Sequence, residues 1–176
     1  LDHPWESCIT MGNSWSYVPG DHYKSARQVI SLLVKIVSRG GNLLMNIGPG
    51  PDGDWDPVAY ERLQQIGSWI KINGEGIYNT TSVAPYSEAN TFYTKSKKAD
   101  NIYAFVLSDK DKDQVVIPES LSFHLKDIKK VKKVSLLGVN KKLKWTADGS
   151  NIKVLIPKDI PEKNELNYAA VFKIQY

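Results

Sequence analysis

Asn42-Leu43-Leu44-Met45-Asn46-Ile47-Gly48 is short and nearly all apolar, which suits a strand buried on both faces, as in a parallel sheet. A helix is predicted on each side of it. Upstream, Ala26, Val29, Ile30, Leu33, Val34 and Val37 recur at three- and four-residue spacing and give residues 22–39 one apolar face. Asp21 is the candidate N-cap, and Gly40-Gly41 stops the helix, one of them supplying a left-handed cap. Downstream, Asp56 caps a second helix, Pro57 takes its first turn, and Asn73-Gly74 ends it after Ile72. Tyr60, Leu63, Ile66, Gly67 and Ile70 are expected to line its inner face. The intervening loop, Pro49 to Asp56, lacks the Gly-Lys-Ser/Thr ending of a phosphate cradle and reads as a strand-to-helix turn.

Residues 1–20 read as the end of a strand and a polar-aromatic loop, punctuated by Pro4, Gly12, Pro19 and Gly20. Strand, helix, strand, helix is an alternating β/α pattern. Its chemistry belongs at the carboxyl ends of the strands. On this reading Glu6 and Trp15 lie just past one strand, Gly48 to Asp56 just past the next, and both loops face one mouth.

Near residue 80 the period changes. Thr91–Thr94, Asn101–Leu107, Gln114–Ile117, Val131–Leu137, Leu143–Trp145, Asn151–Ile156 and Tyr168–Ile174 are β-like, with turn signals between them. Short strands at such spacing indicate an antiparallel sandwich. The expected fold is therefore α/β plus all-β: the terminal part of a (β/α)8-like barrel over 1–80, then an antiparallel β-sandwich over 81–176. A full barrel typically takes about 250 residues, so most of one would lie elsewhere.

Composition excludes several classes. With 41% hydrophobic and 24% charged residues the chain is globular. The net charge of +4 comes with late lysines, such as Lys126, Lys132 and Lys144, that alternate with apolar residues as a solvated strand face would. No reading helix accompanies them, so nucleic acid is not an expected partner. No apolar run approaches the roughly 20 residues of a membrane helix. Leu1-Asp2-His3-Pro4 opens no signal peptide, and the chain reads as the later part of something longer. Cys8 is the one cysteine, so an internal disulfide is impossible.

The chemistry is concentrated in Trp5-Glu6-Ser7-Cys8 and Gly12-Asn13-Ser14-Trp15-Ser16-Tyr17. A carboxyl group beside apolar rings has a raised pKa and can stay protonated near neutral pH. Aromatic faces can pack on a sugar ring while it reacts. The bland alternative is that Trp5 and Trp15 are core residues and Glu6 a surface charge.

These two runs resemble the α-L-fucosidases of glycoside hydrolase family 29. So do, in order, Ser38-Arg39-Gly40-Gly41-Asn42-Leu43-Leu44-Met45-Asn46-Ile47-Gly48-Pro49, Asp52-Gly53, Ile66-Gly67-Ser68-Trp69 and Asn73-Gly74-Glu75-Gly76-Ile77-Tyr78. The family often has Gly where Ser16 stands. The resemblance implies a retaining exo-hydrolase that removes terminal α-linked L-fucose from glycans, without a metal or other cofactor. It implies Glu6 as general acid/base, Trp15 against the sugar and Trp5 shaping the site beside it. The nucleophilic aspartate would come from an earlier strand that nothing here matches, so the implied partners are a fucosylated glycan and the N-terminal barrel portion. The implied location is periplasmic or secreted, lysosomal in a eukaryote.

Other candidates have plainer readings. His3 and His22 are expected to be surface histidines. Glu75 is expected to serve inter-domain packing. Asp109, Asp111 and Asp113 form a hairpin tip rather than a calcium loop. Asn79-Thr80-Thr81 fits a glycosylation sequon, which matters in a eukaryotic secretory host. The competing function is a carbohydrate-binding or structural β-module, holding a glycan on exposed sandwich aromatics such as Tyr93, Tyr103 or Trp145.

Overall fold

The computed structural model describes residues 3–108, 115, 117–126, 128, 130–160 and 164–176. The first unit is β1 (Trp5–Thr10), α1 (Ala26–Val37), β2 (Gly41–Asn46) and α2 (Pro57–Asn73). β1 and β2 pair in parallel, Trp5 opposite Gly41 through Thr10 opposite Asn46. α1 starts four residues later than the expected position 22, at the first residue of its apolar period. Ser25 is the N-cap, and it forms a capping box with Gln28. Asp21 is drawn instead to the loop before it. Gly40 has φ +81°, the left-handed conformation expected at the stop. α2 is capped as its sequence indicates, by Asp56 accepting the Val58 N–H at 2.9 Å, with Pro57 in the first turn.

The buried face of α2 is rotated from the expected one. Ala59, Ile66, Trp69 and Asn73 are buried, whereas Tyr60 is exposed and Gly67 meets open space. Trp69 sets this rotation. Its ring is fully buried 6.4 Å from the Phe105 ring, and its indole N–H donates to the Ala169 carbonyl at 3.0 Å. A buried indole that satisfies its one donor outweighs a half-polar Tyr on the facing stripe.

After a 3₁₀ turn at Gly74–Gly76 come β3 (Thr80–Glu88), β4 (Thr91–Ser96), β5 (Asn101–Val106), β6 (Ser120–His124), β7 (Lys133–Leu136), β8 (Lys144–Asp148), β9 (Asn151–Leu155), a short α3 (Asn164–Tyr168) and β10 (Ala170–Gln175). A five-stranded sheet runs β3-β4-β5-β10-β7 and a three-stranded one β6-β9-β8. Both are antiparallel. They face each other across Tyr93, Ile102, Ala104, Val106, Phe123, Val134, Ile152, Val154 and Phe172. The mostly-β sandwich expected for the later half is therefore present. β3 and β6 are additions to the expected strands. Of the predicted run Gln114–Ile117 only Val115 and Ile117 are described, and neither is in a strand. Asp109, Asp111 and Asp113 lie outside the described residues. No helix among those described is long and apolar enough to cross a membrane.

The centre of the five-stranded sheet is buried on both faces. Every residue of β5 is buried. Ile102, Ala104 and Val106 face the sandwich core, while Tyr103 and Phe105 join Phe92, Val171 and Trp69 under α1 and α2. Full burial of a side chain such as Phe105 contributes about 1.5–3 kcal/mol. The 3₁₀ turn docks on this face: a Cβ on Gly76 would come within 2.8 Å of the Phe105 ring, and the buried Thr94 hydroxyl donates to the Gly76 carbonyl at 2.7 Å.

Glu75 ties the same turn to the sheet. Its Oε2 accepts from the Tyr103 hydroxyl at 3.0 Å and from Lys173 Nζ at 2.6 Å. Burial, reinforced by the Glu75 charge and hydrogen bond, pushes the Tyr103 phenol from 10.0 up to about 12. A phenol held protonated by the fold stabilises it fully below the ordinary value, and that contribution disappears as pH climbs through the folded one. Unfolding by urea should therefore show stability falling between pH 10 and about 12, more shallowly in Tyr103→Phe. Equal slopes in both proteins would contradict this account.

Candidate active site

Functional loops of parallel β/α units lie at the carboxyl ends of their strands. β1 and β2 are parallel, so Thr10 and Asn46 mark one rim and Trp5 and Gly41 the other. The loop after β1 and the loop from Ile47 to Asp56 meet at the first rim. The contact there is close: a Cβ on Gly48 would lie 2.5 Å from the Tyr17 backbone nitrogen and 2.7 Å from the Ser16 carbonyl carbon.

The loop carrying Trp15 is held by side chains. Asp21 Oδ2 accepts the N–H groups of Asn13 at 2.9 Å and Ser14 at 3.2 Å, and its Oδ1 accepts that of His22 at 2.7 Å. Partial burial alone would raise the Asp21 pKa, but the backbone donors of Ser14, His22 and Asn13 outweigh it and hold the carboxyl below its usual range. Lys24 Nζ donates to the carbonyls of Thr10 and Gly12 at 2.9 and 3.2 Å. From the strand ends, Thr10 Oγ1 donates to the Ser14 carbonyl at 3.0 Å, and Asn46 Nδ2 donates to the Trp15 carbonyl at 3.0 Å.

The result is a fixed backbone presenting an indole that is 57% exposed. Across the rim, the Trp55 and Tyr60 rings lie 5.5 Å apart, and the Tyr60 hydroxyl donates to Asp54 Oδ1 at 3.2 Å. Asp52 is exposed in the same loop. Flat aromatic surface beside carboxylates suits a polyhydroxylated ring, which has apolar C–H faces and hydroxyl donors.

Trp5 and Glu6 are not part of this rim. They belong to β1 itself rather than to a loop beyond it, at its amino end. Trp5 packs over Gly41, where a Cβ would fall 2.5 Å from the ring, and its indole N–H reaches the Arg39 carbonyl at 3.4 Å. Glu6 is exposed opposite Asn42, four residues before Thr10, hence about 13 Å from the rim along an extended strand. The expectation that Glu6 shares a mouth with Trp15 is thus corrected. β1 begins at Trp5 because it pairs with Gly41, and that register puts both residues at the far end.

The rival sugar-binding aromatics of the sandwich are unavailable as platforms. Tyr93 and Tyr103 are buried, and Trp145 packs against the sandwich core. Asn46, Thr10 and Gly48 were not singled out as site residues. The available signal was a polar Asn closing an otherwise apolar strand immediately before a glycine. A methyl group at position 48 is forced against the Ser16–Tyr17 backbone, and overpacking of this kind costs about 1–3 kcal/mol. Gly48→Ala should lower the urea midpoint accordingly; an unchanged midpoint would mean that the two loops are not locked together.

Comparison with known proteins gives this geometry a family. Residues 1–75 match the profile described as alpha-L-fucosidase, and residues 85–175 match the alpha-L-fucosidase C-terminal domain. The chain is 37% identical over 166 residues to the plasma alpha-L-fucosidase of Homo sapiens, covering 90% of this chain and 34% of that protein. It is 33% identical over 183 residues to the alpha-L-fucosidase of Branchiostoma floridae, covering 98% and 38%. Among solved structures, alpha-L-fucosidase isoenzyme 1 of Paenibacillus thiaminolyticus superposes with TM-score 0.77 at 26% identity, covering 98% of this chain and 39% of that one. A glycoside hydrolase family 29 alpha-L-fucosidase of Bacteroides thetaiotaomicron, trapped as a covalent intermediate with 2-fluoro-fucosyl fluoride, gives TM-score 0.77 at 26% identity, covering 98% and 38%. The chain thus spans little more than a third of the length of the curated relatives it matches. With both halves matched in order and nearly the whole chain superposed, it belongs to the α-L-fucosidase family.

Proposed function

We propose that this chain supplies the last β/α units of a (β/α)8 barrel, residues 1–80, and a supporting β-sandwich, residues 81–176, to a retaining exo-α-L-fucosidase. The observation that carries the reading is the exposed indole of Trp15 on a side-chain-anchored loop at the carboxyl ends of parallel strands. Trp15 forms an apolar wall for terminal α-linked L-fucose. The remaining barrel, carried by the upstream portion that the family's longer members possess, completes the pocket. A groove of about 690 Å³, lined by Val29, Leu33, Leu43, Met45, Ile66 and Ile70, is the seat on which that portion packs, covering the helices and the open edge of β2. The compartment is periplasmic or secretory, where fucosylated glycans are met.

The retaining reaction needs two carboxyl groups about 5–5.5 Å apart. One attacks the anomeric carbon and forms a glycosyl-enzyme ester while the other protonates the departing oxygen. The second then deprotonates the water that cleaves the ester. The position of Glu6, about 13 Å from the rim, does not suit it to protonate an oxygen at the Trp15 end. In this proposal both catalytic carboxyls lie on the upstream portion, and Glu6 occupies the floor of the barrel. The 176-residue chain alone should show no turnover of an aryl fucoside. Joined to the upstream portion it should hydrolyse the sugar, and Glu6→Gln should slow good and poor leaving groups alike, if at all. A loss confined to poor leaving groups would restore Glu6 as the acid and reject this division of labour.

A further inference from the structure

We infer that Asn46 and Thr10 form a positioning clamp that fixes the Trp15 backbone, and through it the indole that meets the sugar. The inference rests on the reading of Trp15 as a wall of the sugar site, and it names what aims that wall.

The clamp is a directed circuit. The Trp15 carbonyl can only accept, so the Asn46 amide must turn its nitrogen toward it, at 3.0 Å. The second hydrogen of the same nitrogen is then directed at Thr10 Oγ1, 3.4 Å away. With one lone pair so engaged, the hydroxyl gives its single proton to the Ser14 carbonyl at 3.0 Å, nearer than the Asn46 carbonyl at 3.5 Å. Two successive carbonyls of an irregular loop are thus gripped from two strand ends, which the β1–β2 ladder itself holds in register. That ladder is continued by Met11 N–H donating to the Asn46 carbonyl at 2.9 Å, so Asn46 contacts the loop through backbone and side chain together. Gly48 closes the arrangement, since its virtual Cβ lies only 3.1 Å from the Trp15 carbonyl oxygen. An aromatic platform held this way loses little freedom when a ligand stacks on it, which is how pre-organisation adds affinity.

The circuit makes sharp demands on side-chain chemistry. Asn46→Asp keeps the shape but removes both donors. Thr10→Val keeps the shape and removes the hydroxyl, whereas Thr10→Ser keeps it. The test has two parts. In the 176-residue chain labelled with ¹⁵N-tryptophan, the Trp15 indole signal, assigned with Trp15→Phe, is expected to broaden or lose its heteronuclear NOE in Asn46→Asp and Thr10→Val. It should stay as in the wild type in Thr10→Ser, and the other indole signals should report an intact fold in all three. In the chain joined to its upstream portion, Asn46→Asp and Thr10→Val should raise KM for a fucoside about 2- to 10-fold, with kcat changed much less. An equally ordered Trp15 in both donor-lacking variants would overturn the clamp. A raised KM in Trp15→Ala but not in Asn46→Asp would overturn the positioning role alone. An unchanged KM in Trp15→Ala would sink the sugar-wall reading, and this inference with it.

Discussion

Burial of both faces of β5, the central strand of the five-stranded sheet, is the constraint on which the other parts depend. β5 contributes alternate side chains to two cores, so the sheet must be covered by the three-stranded sheet on one side and by α1 and α2 on the other. Trp69 is the main tie on the helical side. Its ring adds apolar area against Phe105 and its N–H engages Ala169, next to β10. The contact therefore joins the two halves of the chain through residues 100 positions apart. The Glu75–Tyr103–Lys173 group repeats the tie with polar chemistry at the end of α2.

What this core holds still is the β-α-β unit. α1 and α2 are pinned to the sheet, and β2 and the residue after it pack on them through Met45 and Ile47. β1 then depends on β2 for its ladder. The rim loops inherit that rigidity at one remove. They are irregular, yet their backbone groups are met by Asp21, Lys24, Thr10 and Asn46 rather than by water alone. The sandwich serves in this way as a foundation: Tyr93, Tyr103 and Trp145 are spent on packing, and the sheets they pack in steady the loops at the strand ends.

The opposite ends of β1 divide its labour. The amino end, with Trp5 over Gly41, closes the turn after α1. The carboxyl end carries Thr10 and the start of the Trp15 loop. Glu6 and Trp15 are nine positions apart in the chain, but a strand is the most extended form a chain takes, so closeness in sequence becomes distance in space.

Much was legible in the residues alone. Asp56-Pro57 marks the start of α2 because a side-chain acceptor and a missing N–H act within one turn. The run Asn101–Leu107 reads as a strand, and the ordered blocks from Trp5 to Tyr78 carry the family. β3 escaped because Pro85 and its polar residues deny it a strand pattern, while an edge position shared only with β4 tolerates both. The residue that caps α1 was misjudged because Ser25 and Asp21 are equally good caps locally, and only the loop's free N–H groups claim Asp21. Side-chain period tells which face of a strand a residue occupies. It does not tell which end of the strand lies at the rim, because that follows from pairing with residues 36 positions away. The sequence by itself thus determined the elements, their order and the family. Tertiary pairing alone decided that the Trp15 loop follows the carboxyl end of β1 while Glu6 lies at its amino end.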